Sequence, residues 1–152
     1  MHMRGCRDRG FTLIELLIVV AIIGLIAAVA IPNLLNAVDK GKQKRSMMDM
    51  RSICTAIEAY STDMATYPKA IGSWLAVKPL LNPYFIENPP DMDGWNNMWE
   101  AGTTADGADY TVASLGKDGI TSGRPGGATM DFNCDIVYTN GAFFQWPEGQ
   151  QN

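Results

Sequence analysis

One carboxylate stands where carboxylates are rarely placed. Residues 11–31 form an apolar run, FTLIELLIVVAIIGLIAAVAI, and Glu15 is the only charged residue in it. Such a group costs about 2.5–3.5 kcal/mol at mid-bilayer and less near an interface. It could serve as one half of an ion pair. The sequence shows no counter-charge within helical reach, so the partner is expected on another copy of the chain or as a newly exposed amine. Other reactive residue types are sparse. The only histidine is His2, and the cysteines are Cys6, Cys54 and Cys134. No Gly-x-x-x-x-Gly-Lys-Ser/Thr loop is present to cradle a nucleotide phosphate.

The element that positions Glu15 is read from length and hydropathy. A helix over residues 11–31 would be roughly 30 Å long, about the hydrocarbon thickness of a bilayer. Arg4, Arg7 and Arg9 precede it, as in a secretory signal peptide. That reading needs a small-residue cleavage site after the apolar core. The run instead ends in Val-Ala-Ile-Pro, with no clear Ala-x-Ala site. A plain membrane anchor would have no need of Glu15.

Arg9-Gly-Phe-Thr-Leu-Ile-Glu15, followed by an apolar run to Ile31-Pro32, resembles the class III signal of type IV pilins and type II secretion pseudopilins. The resemblance implies cleavage after Gly10 by a prepilin peptidase on the cytoplasmic side and N-methylation of the new terminal Phe11. It implies that Glu15 pairs with the amine of a neighbouring subunit during assembly. Two lone charges in lipid attract strongly and offset each other's desolvation. The expected organisation is a cleaved leader at 1–10, a membrane-spanning or filament-core helix at 11–32, and a periplasmic globular domain at 33–152.

Composition bounds the remaining classes. Removing Arg4, Arg7, Arg9 and Asp8 from 12 basic and 16 acidic residues leaves 9 and 15, a net of −6. That argues against general nucleic-acid binding. Losing His2 leaves no easy general base near neutral pH and no imidazole ligand. Cys54 and Cys134 remain. An oxidising compartment permits one bridge between them, and two small apolar core residues are the alternative.

Along the chain, Gly24 permits close helix packing and Pro32 is expected to kink or loosen the helix. From Asn33 to about Ser61 the pattern turns amphipathic. Met47, Met50, Cys54, Ile57 and Met64, with Ile53 and Tyr60, form one stripe; Lys44, Asp49, Arg51 and Glu58 form the other side. The basic residues Lys40, Lys42, Lys44 and Arg45 could meet lipid headgroups, acids on a neighbour, or solvent. Residues 74–81 are a short apolar piece, possible helix, interrupted by Pro79. Residues 87–99 read as loop, 110–115 as a strand, and 116–130 as a Gly-rich loop. Two further strands, 135–139 and 142–146, join through Asn140-Gly141, a strong hairpin signal. The fold class is α+β: a long N-terminal helix packed on a small three-stranded antiparallel sheet, the pilin fold. Trp74, Trp95, Trp99 and Trp146 could bind partners or sugars, or cover a small core.

Asp93-Gly-Trp-Asn-Asn, Ser114-Leu-Gly-Lys-Asp-Gly119 and Asp135-Ile136 look like the major pseudopilin of type II secretion. That family typically has Asp-Pro-Trp-Gly-Asn-Pro in the first loop, and here Gly94 replaces the Pro. The resemblance implies calcium in the loop after Ser-Leu-Gly, with Asp118 and Asp135 as ligands, Asp131 as an extra candidate and Leu115 giving its carbonyl. Hard cations take such oxygens, and a Gly-rich loop of this length is hard to order by burial alone. An insertion at 121–129 disturbs that ligand set. The implied function is a filament subunit, not an enzyme. Its implied partners are copies of itself, other pseudopilins, an inner-membrane assembly platform, a prepilin peptidase and methyltransferase, and a secretin. A surface type IV pilus is the alternative. An anchored calcium- or sugar-binding module that never polymerises is the alternative of another class.

Overall fold

The computed structural model describes residues 10–69, 73–149 and 151. Residues 1–9 of the expected leader lie outside the described residues. The element order is α1 (Leu13–Met64), α2 (Trp74–Leu81), β1 (Glu100–Thr103), β2 (Tyr110–Ser114), β3 (Gly127–Thr129), β4 (Ile136–Thr139) and β5 (Ala142–Pro147). Two compact units divide between Leu35 and Asn36.

Among the described residues of the first unit every large apolar side chain is exposed. Pro32 is accommodated inside α1. A proline removes one backbone donor but its fixed φ is compatible with helix.

In the second unit α1 buries Met50, Ile53, Cys54, Ala56 and Ile57 in a core shared with Trp74, Val77 and Leu81 of α2, Trp99, and Ala101, Tyr110, Val112 and Ile136 from the sheet. Full burial of an isoleucine-sized side chain contributes about 1.5–3 kcal/mol, so this stripe is what holds the helix on the domain. Two residues depart from the expected stripes. Met64, at the last turn of α1, is 54% exposed. Glu58 faces the domain: Tyr110 donates its hydroxyl to Oε1 at 2.8 Å and Tyr67 to Oε2 at 3.3 Å. Trp74 and Trp99 are core residues, which settles two of the four tryptophans as core cover.

The sheet has five strands, not three, in the order β1-β2-β4-β5-β3. The neighbours are antiparallel except β3, which pairs parallel with β5 through Gly127–Gln145 and Thr129–Pro147. The two added strands are Glu-Ala-Gly-Thr and Gly-Ala-Thr. Both are edge strands, poor in β-branched and aromatic residues, so pairing rather than intrinsic preference makes them strands. Asn140 (φ 47°) and Gly141 (φ 87°) close the β4–β5 hairpin, both with the positive φ that a type I′ turn needs. Pro79 lies inside α2 rather than interrupting it. The helix is fixed at its start by Ser73, whose hydroxyl accepts the Leu75 N–H at 3.3 Å.

Candidate functional site

Residues 10–12 precede α1 in non-helical backbone, so the Gly10–Phe11 bond is not locked in a helical ladder, and both residues are exposed. Glu15 has an uncharged partner in its own first turn. Its Oε2 accepts the Thr12 backbone N–H at 2.9 Å and the Thr12 hydroxyl at 2.6 Å, while the Glu15 N–H donates to the Thr12 hydroxyl at 3.3 Å. This is a reciprocal capping box, and Thr-x-x-Glu is its readable signature. Thr12 brings hydrogen bonds but no positive charge, so the ion-pairing capacity of Glu15 remains.

A second site is built where two loops meet α1. Asp93, 2% exposed, holds the first loop closed. Its Oδ1 accepts the N–H groups of Trp95 and Asn97, each at 2.9 Å, and its Oδ2 accepts the Ser114 hydroxyl at 2.6 Å. Asn97 then donates to the Gly116 carbonyl at 2.7 Å, which ties the loop to Ser-Leu-Gly. The loop meets the helix at three points. Gly94 N–H donates to the Ser46 hydroxyl at 2.8 Å; the Trp95 indole N–H donates to Asp39 Oδ1 at 3.3 Å; Lys117 Nζ stands 2.8 Å from Asp39 Oδ2.

Gly94 explains its own departure from the family pattern. A Cβ there would lie 2.3 Å from the Lys42 carbonyl oxygen, and a proline has no N–H for Ser46. Gly116 (φ 67°) likewise passes close under the backbone of Phe132 and Asn133.

Burial alone would raise the Asp39 carboxyl. The hydrogen bonds from Lys117 and Trp95, with the charges of Lys117 and Lys42, outweigh it and hold the group below its ordinary value. Asp39 and Ser46 carry no signal in the sequence, whereas Asn97 lies in the first-loop motif. The turn-forming Asp-Gly-Trp-Asn-Asn was the available signal, since aspartate side chains bond the backbone two residues on.

The residues implied as calcium ligands are not brought to one point. Asp118 and Asp131 are exposed, and each accepts an N–H of its own turn, from Ile120 at 3.0 Å and Asn133 at 2.9 Å. Asp135 is fully buried, with Oδ2 on Arg124 Nε at 2.7 Å and Oδ1 on the Ser122 N–H at 3.2 Å. Among the described residues no group of three or more His, Cys, Asp or Glu side chains could hold a metal ion. As arranged, this donor set fits an arginine rather than a metal ion at Asp135.

Cys54 and Cys134 are both free, so the bridge the sequence left open is not formed. Cys54 is buried on the core face of α1, and Cys134 sits in the turn before β4. Burial, then the acids Asp131, Asp135 and Asp118, pushes the Cys134 thiol up.

Comparison with known proteins bears on both sites. A model of the prokaryotic N-terminal methylation motif matches residues 6–31. A model of the type II secretion system protein G matches residues 33–133. The chain belongs to the protein G family of type II secretion. Type II secretion system core protein G of Vibrio cholerae is 31% identical over 134 residues, covering 82% of this chain and 90% of the relative. The protein of the same name from Pseudomonas aeruginosa is 29% identical over 138 residues, covering 84% and 96%. The type IV major pilin protein PilA of Myxococcus xanthus is 44% identical over 61 residues, covering 40% of this chain and 28% of that pilin. No solved structure matches. The family is one of structural pseudopilins. The two model matches together take in Gly10, Phe11, Glu15 and the Asp93 and Ser114 loops.

Proposed function

We propose that this chain is the repeating subunit of a type II secretion pseudopilus, anchored in the inner membrane by α1 before assembly and built into a periplasmic filament afterwards. The observation that carries the reading is the surface of the first half of α1. Every large apolar side chain over residues 11–38 is exposed, and α1 is long and apolar enough to cross a membrane. A contiguous apolar surface of that size needs lipid or other helices around it. Both are supplied in turn if the helix leaves the bilayer for a filament core.

Cleavage after Gly10 by a prepilin peptidase frees the Phe11 amine, which is then methylated. Glu15, four residues on, takes the amine of the next subunit. The loops around Asp93 and Ser114 fix the small domain on its helix so that subunits present a constant outer surface. An assembly platform, minor pseudopilins and a secretin are the implied partners, and the energy for growth comes from outside this chain.

The test is to produce the chain with a prepilin peptidase and its assembly system. The mature protein should begin at a methylated Phe11, and filaments should be lost in Glu15→Val. An N-terminus still at Met1, or normal polymers from the valine variant, would overturn the reading. So would full retention of function by a valine variant that never assembles, which is the signature of a non-polymerising binding module.

The stretch shared with the Myxococcus xanthus pilin favours a second reading, a surface type IV pilus. Antibody labelling of intact cells separates the two: a periplasmic filament stays unlabelled until the outer membrane is opened.

A further inference from the structure

We infer that the guanidinium of Arg124 is the built-in counter-ion of this chain's 115–135 loop, occupying at Asp135 the role for which the family resemblance implies a divalent cation. The Asp135 carboxylate is fully buried. A buried carboxylate requires a compensating positive charge and donors for its remaining lone pairs. Both are provided by residues of the inserted segment 121–129. Arg124 Nε stands 2.7 Å from Oδ2, and the N–H and hydroxyl of Ser122 reach Oδ1 at 3.2 and 3.1 Å.

The same guanidinium extends its Nη2 to Glu100 of β1, which also accepts the Thr121 hydroxyl at 3.1 Å. One planar cation thus ties the loop to β1 and to the residue just before β4. Arginine suits this task because its fork of donors can serve two acids at once. The backbone around Asp135 is bound in as well. Gln145 donates to the Asp135 carbonyl at 2.8 Å, and its own side-chain oxygen accepts the Gly126 N–H at 3.3 Å. Asp118 and Asp131, the other two implied acidic ligands, face solvent in their own turns. The inserted segment therefore carries its own clamp, and the order of the loop does not depend on calcium. This goes beyond the filament reading and is independent of it, since it concerns the folded subunit alone.

The test uses the full chain in detergent micelles. Thermal unfolding is followed by tryptophan fluorescence, and protease cutting within 115–135 is followed by mass spectrometry, each with millimolar calcium chloride or with EGTA. The wild-type midpoint and cutting rate are expected to be the same in both. Arg124→Leu should be cut at least roughly tenfold faster, because cleavage tracks the population of the opened loop. Arg124→Lys should recover only part of the protection, since a point charge does not span both acids. Chelation that lowers the wild-type midpoint or opens the loop, reversed by calcium, overturns the inference. So does an Arg124→Leu loop as protected as the wild type. If Arg124→Leu does not fold, the wild-type comparison with EGTA decides alone.

Discussion

Ser114, the last residue of β2, donates its hydroxyl to Asp93 Oδ2 at 2.6 Å, and neither side chain reaches solvent. The other oxygen of Asp93 caps two N–H groups of its own turn. Asp93→Ala leaves the buried Ser114 hydroxyl and the two part-buried amides short of an acceptor. Bonds to charged groups contribute about 1.5–3 kcal/mol each, and losses overlap within one network, so we expect a net cost of about 3 kcal/mol. Asp93→Asn keeps the shape and one good acceptor and should cost about half as much. Denaturant titration of the full chain in micelles checks both, and a loss under about 1 kcal/mol for the alanine variant would show that the loop is held by something else.

Gly94 and Ser46 form one of the contacts between that loop and α1. Ser46→Ala removes one hydrogen bond and should cost about 1 kcal/mol. Gly94→Ala keeps the bond but drives a methyl against the Lys42 carbonyl, which is backbone and cannot rotate away. Such overpacking costs typically about 1–3 kcal/mol. Gly94→Pro, the residue more usual in this family, suffers both losses and should be the least stable of the three. An equal or higher unfolding midpoint for the proline variant would refute this account of the departure.

The parts of the fold that could be read from sequence are those with strong periodicity or a committed turn. The apolar run, the Met50, Ile53, Cys54 and Ile57 stripe, and the Asn140-Gly141 hairpin all follow from local chemistry. What was missed depends on distant pairing. Residues 100–103 and 127–129 carry little strand preference and become strands only because β2 and β5 offer them a ladder. The charge of Glu58 predicts an outer-face position, whereas two tyrosine hydroxyls draw it inward. The clamp at Asp135 was hidden for a related reason: only the fold brings an arginine eleven residues upstream onto that carboxylate. The capping box at Thr12 and Glu15, by contrast, is legible, because Thr-x-x-Glu is a local pattern.

Asp39 makes the attachment of the loops to α1 dependent on pH. Its carboxyl is held below the ordinary value of about 3.9, so the folded state favours the ionised form. With a folded pKa below the unfolded one, the stabilisation is fully present above about pH 4 and is lost as pH falls through the folded value. Stability should therefore decline on acidification below about pH 4, and Asp39→Asn should make that decline shallower. At neutral pH the variant should be slightly less stable, because Lys117 is half-exposed and regains water on losing its partner. Parallel stability curves for the two proteins across the acid range would show that the Asp39 pair does not contribute.

The two thiols should behave as buried chemistry dictates rather than as a redox pair. A thiolate is the reactive species, so reactivity follows whatever favours or disfavours that charge. At Cys54 burial pushes the thiol far up, and nearby Glu58 adds to the same direction. At Cys134, which is only partly buried, burial and three neighbouring aspartates do the same more gently. A thiol-specific reagent at neutral pH should label Cys134 slowly in the native protein and Cys54 only as it unfolds. A reducing agent should leave the unfolding midpoint unchanged, since no bridge is there to break. Cys54→Ala should destabilise the fold, because it empties space in the core that the sulfur fills beside Ile53 and Ile57. A midpoint that falls on reduction, together with two thiols unreactive in the unfolded, unreduced chain, would mean that the folded protein joins these cysteines after all.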